Sequence, residues 1–479
     1  MEGNNSLKIG KKAFMTSLAI LFSLMVLAGV LAHTIPSGEY QRIIENGREV
    51  IVPDSFLFAD KPYYPFWRVL TAPFEVLFSD DAATVIVIIA FIIIVGGVFS
   101  LLEKSGILNQ LLINIVGRYS SKKYRLLAII TAVFTFFGSA FGLFEELVVL
   151  VPLSIALAYS LKWDSFVGLG CTLLAACFGF SATTLNPFTL ATAQSIAGLP
   201  LYSGLAVRAL VLVLSYFILI SFLTKYAKKI EEDPSKSLCS KDDGHLRLKY
   251  DSILNLDLEE TNTWAMTAFY VTLGVMGAFI VLSMFVSALS AILLPALAVI
   301  FLIGSVVAAV LSQKLKNVGK TLVSGMASTV PSTFLILMAM SVGLIIENGH
   351  VMDTILYYAS GYIFQSSPFV SVLLIYALVL VLNFFIGSGS AKAFLIMPLL
   401  APLCDLIGIT RQTAVTAFCL GDGITNGLYP TNAMLMITLG LTVISYPKWF
   451  KFTIKLQIVF AIFSCLVLLA AQYVGLGPF

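Results

Sequence analysis

Apolar segments long enough to cross a lipid bilayer recur from one end of this chain to the other, at about 13–35, 83–102, 205–224, 264–285, 288–311, 322–346 and 452–474. An α-helix rises about 1.5 Å per residue, so roughly 20 residues cover the ~30 Å hydrocarbon layer. Lipid offers backbone amides no partner, so the segments are expected to be helical and the fold class is an all-α polytopic membrane protein. Charge agrees: 11% of the 479 residues are charged, against about 25% in soluble domains. Residues 13–35 exceed a signal-peptide core and no small-residue cleavage site follows, so they read as a retained first span.

Two stretches break this template. Residues 126–161 and 369–404 are apolar runs of 36, each too long for one crossing and too short for two with a turn. Small residues interrupt both near the middle, GSAFG at 138–142 and GSGSA at 387–391. Each run is expected to be a re-entrant helical hairpin, which is tolerated only where protein or a water-filled cavity surrounds it. Two further spans carry polar interruptions, SATTLNPF at 181–188 and DGITNGLYPTN at 422–432. Both are expected to be broken helices, since Pro removes a ladder hydrogen bond.

These features come twice in the same order. Asn186 follows Pro152 by 34 residues and Asn432 follows Pro398 by 34; Glu103 and Gly117 recur as Glu347 and Gly361, each 244 residues later. The loop 103–125 contains Lys104, Arg118, Lys122, Lys123 and Arg125, whereas 347–368 has no Lys or Arg. The positive-inside rule puts the first loop in the cytoplasm and the second outside, so the two copies are expected to be inverted. Arg411 stands against the rule, since this topology puts it outside. The expected organisation is a first span at 1–35, an external loop with a β-hairpin at 36–81, repeat 1 at 82–224, a cytoplasmic linker at 225–262, intervening helices and a loop at 263–323, and the inverted repeat 2 at 324–479. That gives nine full crossings plus two hairpins, in the plasma (inner) membrane with the N-terminus cytoplasmic. Asn46-Gly47, between two β-prone runs, is the hairpin signal in the external loop.

Inverted copies with broken helices imply one binding site at their interface, where helix ends are exposed to anions and cations. The first copy offers Ser139, Glu145 and Glu146 from the hairpin, with Thr183, Thr184, Asn186 and Pro187 from the break. The second offers Ser388, Ser390 and Lys392, with Asp422, Thr425, Asn426, Thr431 and Asn432. Charged groups within a membrane are costly and default to function. The alternative for Lys392 is a structural pair with a glutamate. Arg208, just inside a span, is expected to snorkel outward. The six cysteines form no CxxC pair and the three histidines are scattered. Neither pattern is a metal site, so no cofactor is expected. Na+ or H+ is the coupling ion to consider, with Na+ at the hairpin tips.

The stretches IPSGEYQRIIENGREVIVP, FGLFEELVVLVPL, TTLNPFTLATAQSIAGLPL, GSGSAKAFLIMPLLAPLCDLIGITRQTAVTAF and GDGITNGLYPTNAML, spread over the whole length, resemble the C4-dicarboxylate anaerobic carrier (DcuC) family. Within it they resemble the YfcC-like branch that includes arginine/ornithine exchangers, in the ion-transporter superfamily. The resemblance implies elevator-type transport, commonly by a homodimer, with roles for Ser139, Glu145, Asn186, Ser388, Ser390, Asp422, Asn426 and Thr431. Lys392 departs from the family pattern, whose second tip is usually neutral after its Gly/Ser run.

The leading expectation is therefore a secondary active transporter of a small charged metabolite, an amino acid such as arginine or ornithine, with a C4-dicarboxylate coupled to Na+ or H+ as the alternative. Its partners are that solute, the lipid bilayer and a second copy of the chain; no nucleic acid is expected. An enzyme is disfavoured: Ser388, Ser390 and Lys392 lack the SxxK spacing, and neither GxSxG nor a Walker motif occurs. A passive channel fits less well than an occluding carrier.

Overall fold

Small residues decide how the helices pack. A computed structural model describes residues 11–477, apart from 46–47, 81, 255–260, 284–285, 287–288 and 290–291. In it the Ala82–Lys104 helix lies against Val318–Asn348, and their backbones meet at glycines. A Cβ on Gly325 would sit 2.6 Å from Gly96 O, and one on Gly96 would sit 2.3 Å from Thr329 Cγ2. Such close approach is how membrane helices gain van der Waals contact without a hydrophobic driving force. Helices Lys11–Thr34, Thr263–Ser283 and Leu293–Leu311 pack around this pair.

The remaining elements form a second body. Its first hairpin runs from Lys123–Phe136 through a π turn at Phe137–Phe141 and returns as Glu146–Leu150 and Val151–Ser160. Its second is Pro368–Phe385 and Gly389–Ile407. The broken spans are Ser165–Ser181 followed by Leu190–Ile196, and Arg411–Ile424 followed by Ala433–Gly440. Each copy ends on a long helix, Leu205–Glu232 or Tyr446–Val474. The loops before the hairpins are helical in both copies, at Ile107–Tyr119 and Met352–Gln365, and element order is the same in the two halves.

Ten helices among the described residues are long and apolar enough to cross a membrane. Seven are continuous spans and three are hairpin arms, while each broken span is split into shorter pieces. The arms of the second hairpin have 18 and 19 residues, longer than the 36-residue run suggested, because the helices extend past the apolar stretch at both ends. Their entry side is read from contacts. Leu205–Glu232 is about 42 Å long at 1.5 Å per residue. At its C-terminal end Glu231 pairs with Lys123 and accepts from Tyr124 Oη at 2.5 Å, at the open end of the first hairpin. Beside its N-terminal end, Gln412 Nε2 donates to Ser203 O at 2.7 Å and Arg411 Nη1 to Ala197 O at 2.7 Å, at the open end of the second. The two hairpins thus open toward opposite ends of one helix.

In the 36–81 segment, strands β1 (Gly38–Glu39) and β4 (Leu57–Phe58) pair antiparallel, as do β2 (Arg42–Glu45) and β3 (Arg48–Ile51). Asn46 and Gly47 lie outside the described residues. An amphipathic helix, Arg68–Glu75, follows the strands. β3 rests on the Gly389–Ile407 arm, and Asp353 clamps β2 by accepting from Arg42 Nη2 at 2.8 and 2.9 Å. The linker helix Ser240–Leu254 docks under the first hairpin.

Candidate functional site

Breaking a helix frees backbone groups that lipid cannot satisfy, and in this molecule the hairpin tips take them up. Ser139 O accepts from Thr184 N at 3.0 Å, Leu185 N at 3.3 Å and Thr183 Oγ1 at 3.3 Å. Ser139 Oγ donates to Ala182 O at 2.8 Å and lies 3.0 Å from Thr184 Oγ1. One turn on, Gly142 has φ +66, a conformation that favours glycine; a Cβ there would meet Asn186 Oδ1 at 2.5 Å. Asn186 Oδ1 in turn accepts from Phe188 N and Thr189 N at 2.8 and 3.2 Å, starting the short helix after Pro187. Asn186 is fully buried, and its Nδ2 has no partner among the described residues.

The second copy centres on a charge pair. Lys392 and Asp422 form a salt bridge with both side chains buried. The structural pairing of Lys392 with a glutamate is thereby corrected: the partner is Asp422, which the Arg411–Ile424 helix carries to its C-terminal end beside the tip. Asn383 joins the group by accepting from Lys392 Nζ. Its Nδ2 lies 2.9 Å from Asp422 O, 2.6 Å from Thr425 Oγ1 and 3.0 Å from Asn426 Oδ1. Asn432 Nδ2 reaches Asn426 Oδ1 at 3.2 Å, while Asn432 Oδ1 caps the next helix through Leu435 N at 3.1 Å. Thr431 Oγ1 is buried without a partner among the described residues.

The two halves meet here. A Cβ on Gly389, at the second tip, would lie 2.3 Å from Thr189 Cγ2 and 2.5 Å from Asp422 Oδ2. The broken spans cross backbone to backbone: Ser181 Oγ donates to Leu420 O at 2.7 Å, and a Cβ on Gly423 would fall 2.3 Å from Ser181 N. Of the residues singled out in the sequence, Ser139, Thr183, Thr184, Asn186 and Pro187 form one cluster, and Lys392, Asp422, Thr425, Asn426 and Asn432 another, with the second tip touching both. Ser388 caps the second arm through Ala391 N at 3.3 Å and sits exposed, with its Oγ 3.3 Å from that of Ser390. The glutamates stand apart. Glu146 folds back to accept from Phe144 N at 3.2 Å. Glu145 is exposed, and its side chain makes no hydrogen bond or ion pair with the described residues.

Two residues were misjudged or missed. Arg208 is not snorkelled outward but buried, its Nη2 3.4 Å from Thr416 Oγ1. The facing Arg411–Ile424 helix supplies a polar groove that a hydropathy profile cannot display. Asn383 passed as part of an apolar run; a lone amide four residues before GSGSA was its only signal. Among the described residues no group of three or more His, Cys, Asp or Glu could hold a metal ion.

Comparison with known proteins gives a consistent picture. The family model described as "C4-dicarboxylate anaerobic carrier" matches residues 14–473. The chain is 28% identical over 495 aligned residues, covering 96% of both chains, to an Escherichia coli (strain K12) protein named "Putative basic amino acid antiporter YfcC". It is 25% identical, again over 96% of both, to a protein of Haemophilus influenzae. Among solved structures it is loosely similar to the YdaH transporter of Alcanivorax borkumensis, with 17% identity and a TM-score of 0.42 over 97% of this chain and 100% of that one.

Proposed function

The chain belongs to the C4-dicarboxylate anaerobic carrier family of membrane transporters, and from that premise we propose that it is a secondary active exchanger or symporter for a small cationic amino acid such as arginine or ornithine. One observation supports the cationic preference above the rest. Lys392, the single base among the candidate residues, is already neutralised by Asp422, whereas Glu145 has no cationic partner among the described residues. An exposed carboxylate just past a hairpin tip and without a cation is free to receive a guanidinium or ammonium group. The name of the Escherichia coli relative, a basic amino acid antiporter, points the same way.

Shared element order in the halves and hairpins opening toward opposite ends of Leu205–Glu232 support two inverted repeats. Gathering of the polar groups in one body, beside a pair of helices joined at glycines, supports elevator-type movement. We place the protein in the inner membrane as a homodimer, N-terminus inside, with Na+ or H+ or a counter-solute driving the cycle. The description of the family favours one second reading, a C4-dicarboxylate coupled to Na+ or H+.

Uptake of labelled arginine into proteoliposomes tests the proposal. Saturable uptake with counterflow, competed by ornithine and not by succinate, is expected. Glu145→Gln keeps the shape and removes the charge, so arginine affinity is expected to fall at least tenfold at unchanged expression. Competition by succinate with none by ornithine would replace the first reading by the second.

A further inference from the structure

Among the described residues Arg208 is the one buried arginine near the site, and no carboxylate answers its charge. The residue lies one turn into Leu205–Glu232, after Gly204, with 5% of its surface exposed. Its Nη2 has a long contact of 3.4 Å to Thr416 Oγ1, a hydroxyl that itself donates to Gln412 O at 2.8 Å. Its Nε has no hydrogen-bond partner among the described residues. No carboxylate among the described residues pairs with it. An arginine stays charged at any physiological pH, and leaving a buried charge unpaired costs several kcal/mol.

The geometry around it is that of a receptor for something small. Arg208 lines a cavity with Ser181, Thr183, Thr416, Cys419 and Leu420, so the cavity abuts the first break on one side and the Arg411–Ile424 helix on the other. The space is about 10 Å3, room for about one carboxylate oxygen and not for a whole solute, so only the tip of a bound group enters it. The Nε and Nη2 edge of a guanidinium is the edge that grips a carboxylate with two parallel hydrogen bonds. Here one of those donors is free and the other is weakly engaged. Cys419, whose thiol faces Arg208, lies one turn from Asp422 along the same helix.

We propose that Arg208 holds the carboxylate of the carried solute while the cationic end is met elsewhere at the site. This rests on the reading of the protein as an amino acid carrier. A free halide offers the same negative charge, so the test separates the two. Labelled arginine counterflow is competed with unlabelled L-arginine and with agmatine, which lacks the carboxylate. Wild type is expected to prefer arginine by at least tenfold. Arg208→Gln is expected to lose at least tenfold in competition by arginine but not by agmatine, and Arg208→Lys, which keeps the charge and loses the fork, to fall between.

Equal competition by arginine and agmatine in wild type overturns the inference without recourse to any variant. So does an unchanged ratio in an active Arg208→Gln protein. Uptake that depends on chloride, with the ratio unaltered when gluconate replaces it and Arg208 is changed, assigns the site to a halide and overturns it too. Should wild type carry succinate and no amino acid, the amino acid reading fails by itself. Arg208 is then judged by the same variants with succinate against its uncharged diamide, where loss of discrimination sustains the carboxylate role and its persistence ends it.

Discussion

Asp422 and Lys392 show what one residue can decide. Both are buried, and removal of one partner leaves the other an unanswered charge, at a cost of about 3–5 kcal/mol where such pairs have been broken in proteins. Asp422→Asn is therefore expected to lower the melting temperature in detergent sharply and to abolish transport. The double change Lys392→Gln with Asp422→Asn is expected to recover most of the stability and none of the transport. A single variant that melts with wild type would remove the pair from this role. Asn186→Ala removes the acceptor for Phe188 N and Thr189 N, and the loss of such a cap costs about 1 kcal/mol. Uptake is expected to drop far more than expression does, since Asn186 packs its buried amide against Gly142 at the first tip. Both asparagines of the breaks, Asn186 and Asn432, were legible from their spacing to Pro152 and Pro398. The partner of Lys392 was not, because spacing along a chain does not tell which of several acids a folded tip will meet.

Among the elements, the docked linker helix responds to pH. Asp243 is buried where Ser240–Leu254 meets the first hairpin, its Oδ2 accepting from Ser165 N and Oγ at 3.0 Å and from Cys239 Sγ at 3.1 Å. Asp164 stands opposite, accepting from Tyr226 Oη at 2.6 Å and Ser237 Oγ at 2.7 Å, and Asp242 pairs with Lys448 nearby. Burial, and then the charge of Asp164, push the Asp243 carboxyl up to about 6, above the ~3.9 of a free aspartate. The docked state thus binds the extra proton. Docking is strongest below about pH 4 and weakens as pH rises through about 6. Protection factors across 240–254, that is, hydrogen exchange measured against the intrinsic rate at each pH, are expected to be higher at pH 5 than at pH 7.5, and Asp243→Asn to make them high at both. Equal protection factors in wild type at the two values would contradict this. The sequence announced a polar linker and no more: alternating charges describe a solvated stretch equally well, and only the fold reveals that one of its acids, Asp243, is buried and that its neighbour Asp242 is paired. The hairpins, in contrast, were legible because a 36-residue apolar run has few ways to be placed in a 30 Å layer.

At the scale of the whole molecule, loop charge and the two hairpins opening toward opposite ends of one helix both support the inverted arrangement proposed above. Native Cys239 is buried and cannot report sidedness, so engineered cysteines are needed at exposed positions. A membrane-impermeant maleimide is expected to label Ser367→Cys and not Ser235→Cys in intact cells; labelling of Ser235→Cys from outside would refute the topology. Much of this plan was readable from element order, since breaks, tips and basic loops each leave a compositional mark. Helix contacts left none: Gly96 and Gly325 are ordinary residues in the sequence, and their meeting is visible only once the helices are crossed.

That the broken spans touch backbone to backbone at Gly423 and Ser181 also bears on how the protein is made. Residues 181–189 leave the ribosome long before 422–432, so the first break enters the lipid without the neighbour that covers it. Unwound amides in a membrane need partners at once, and Ser139 on the adjacent hairpin supplies them for Thr184 and Leu185. The amides of the first break are thereby satisfied from within the first half, before the second has been made.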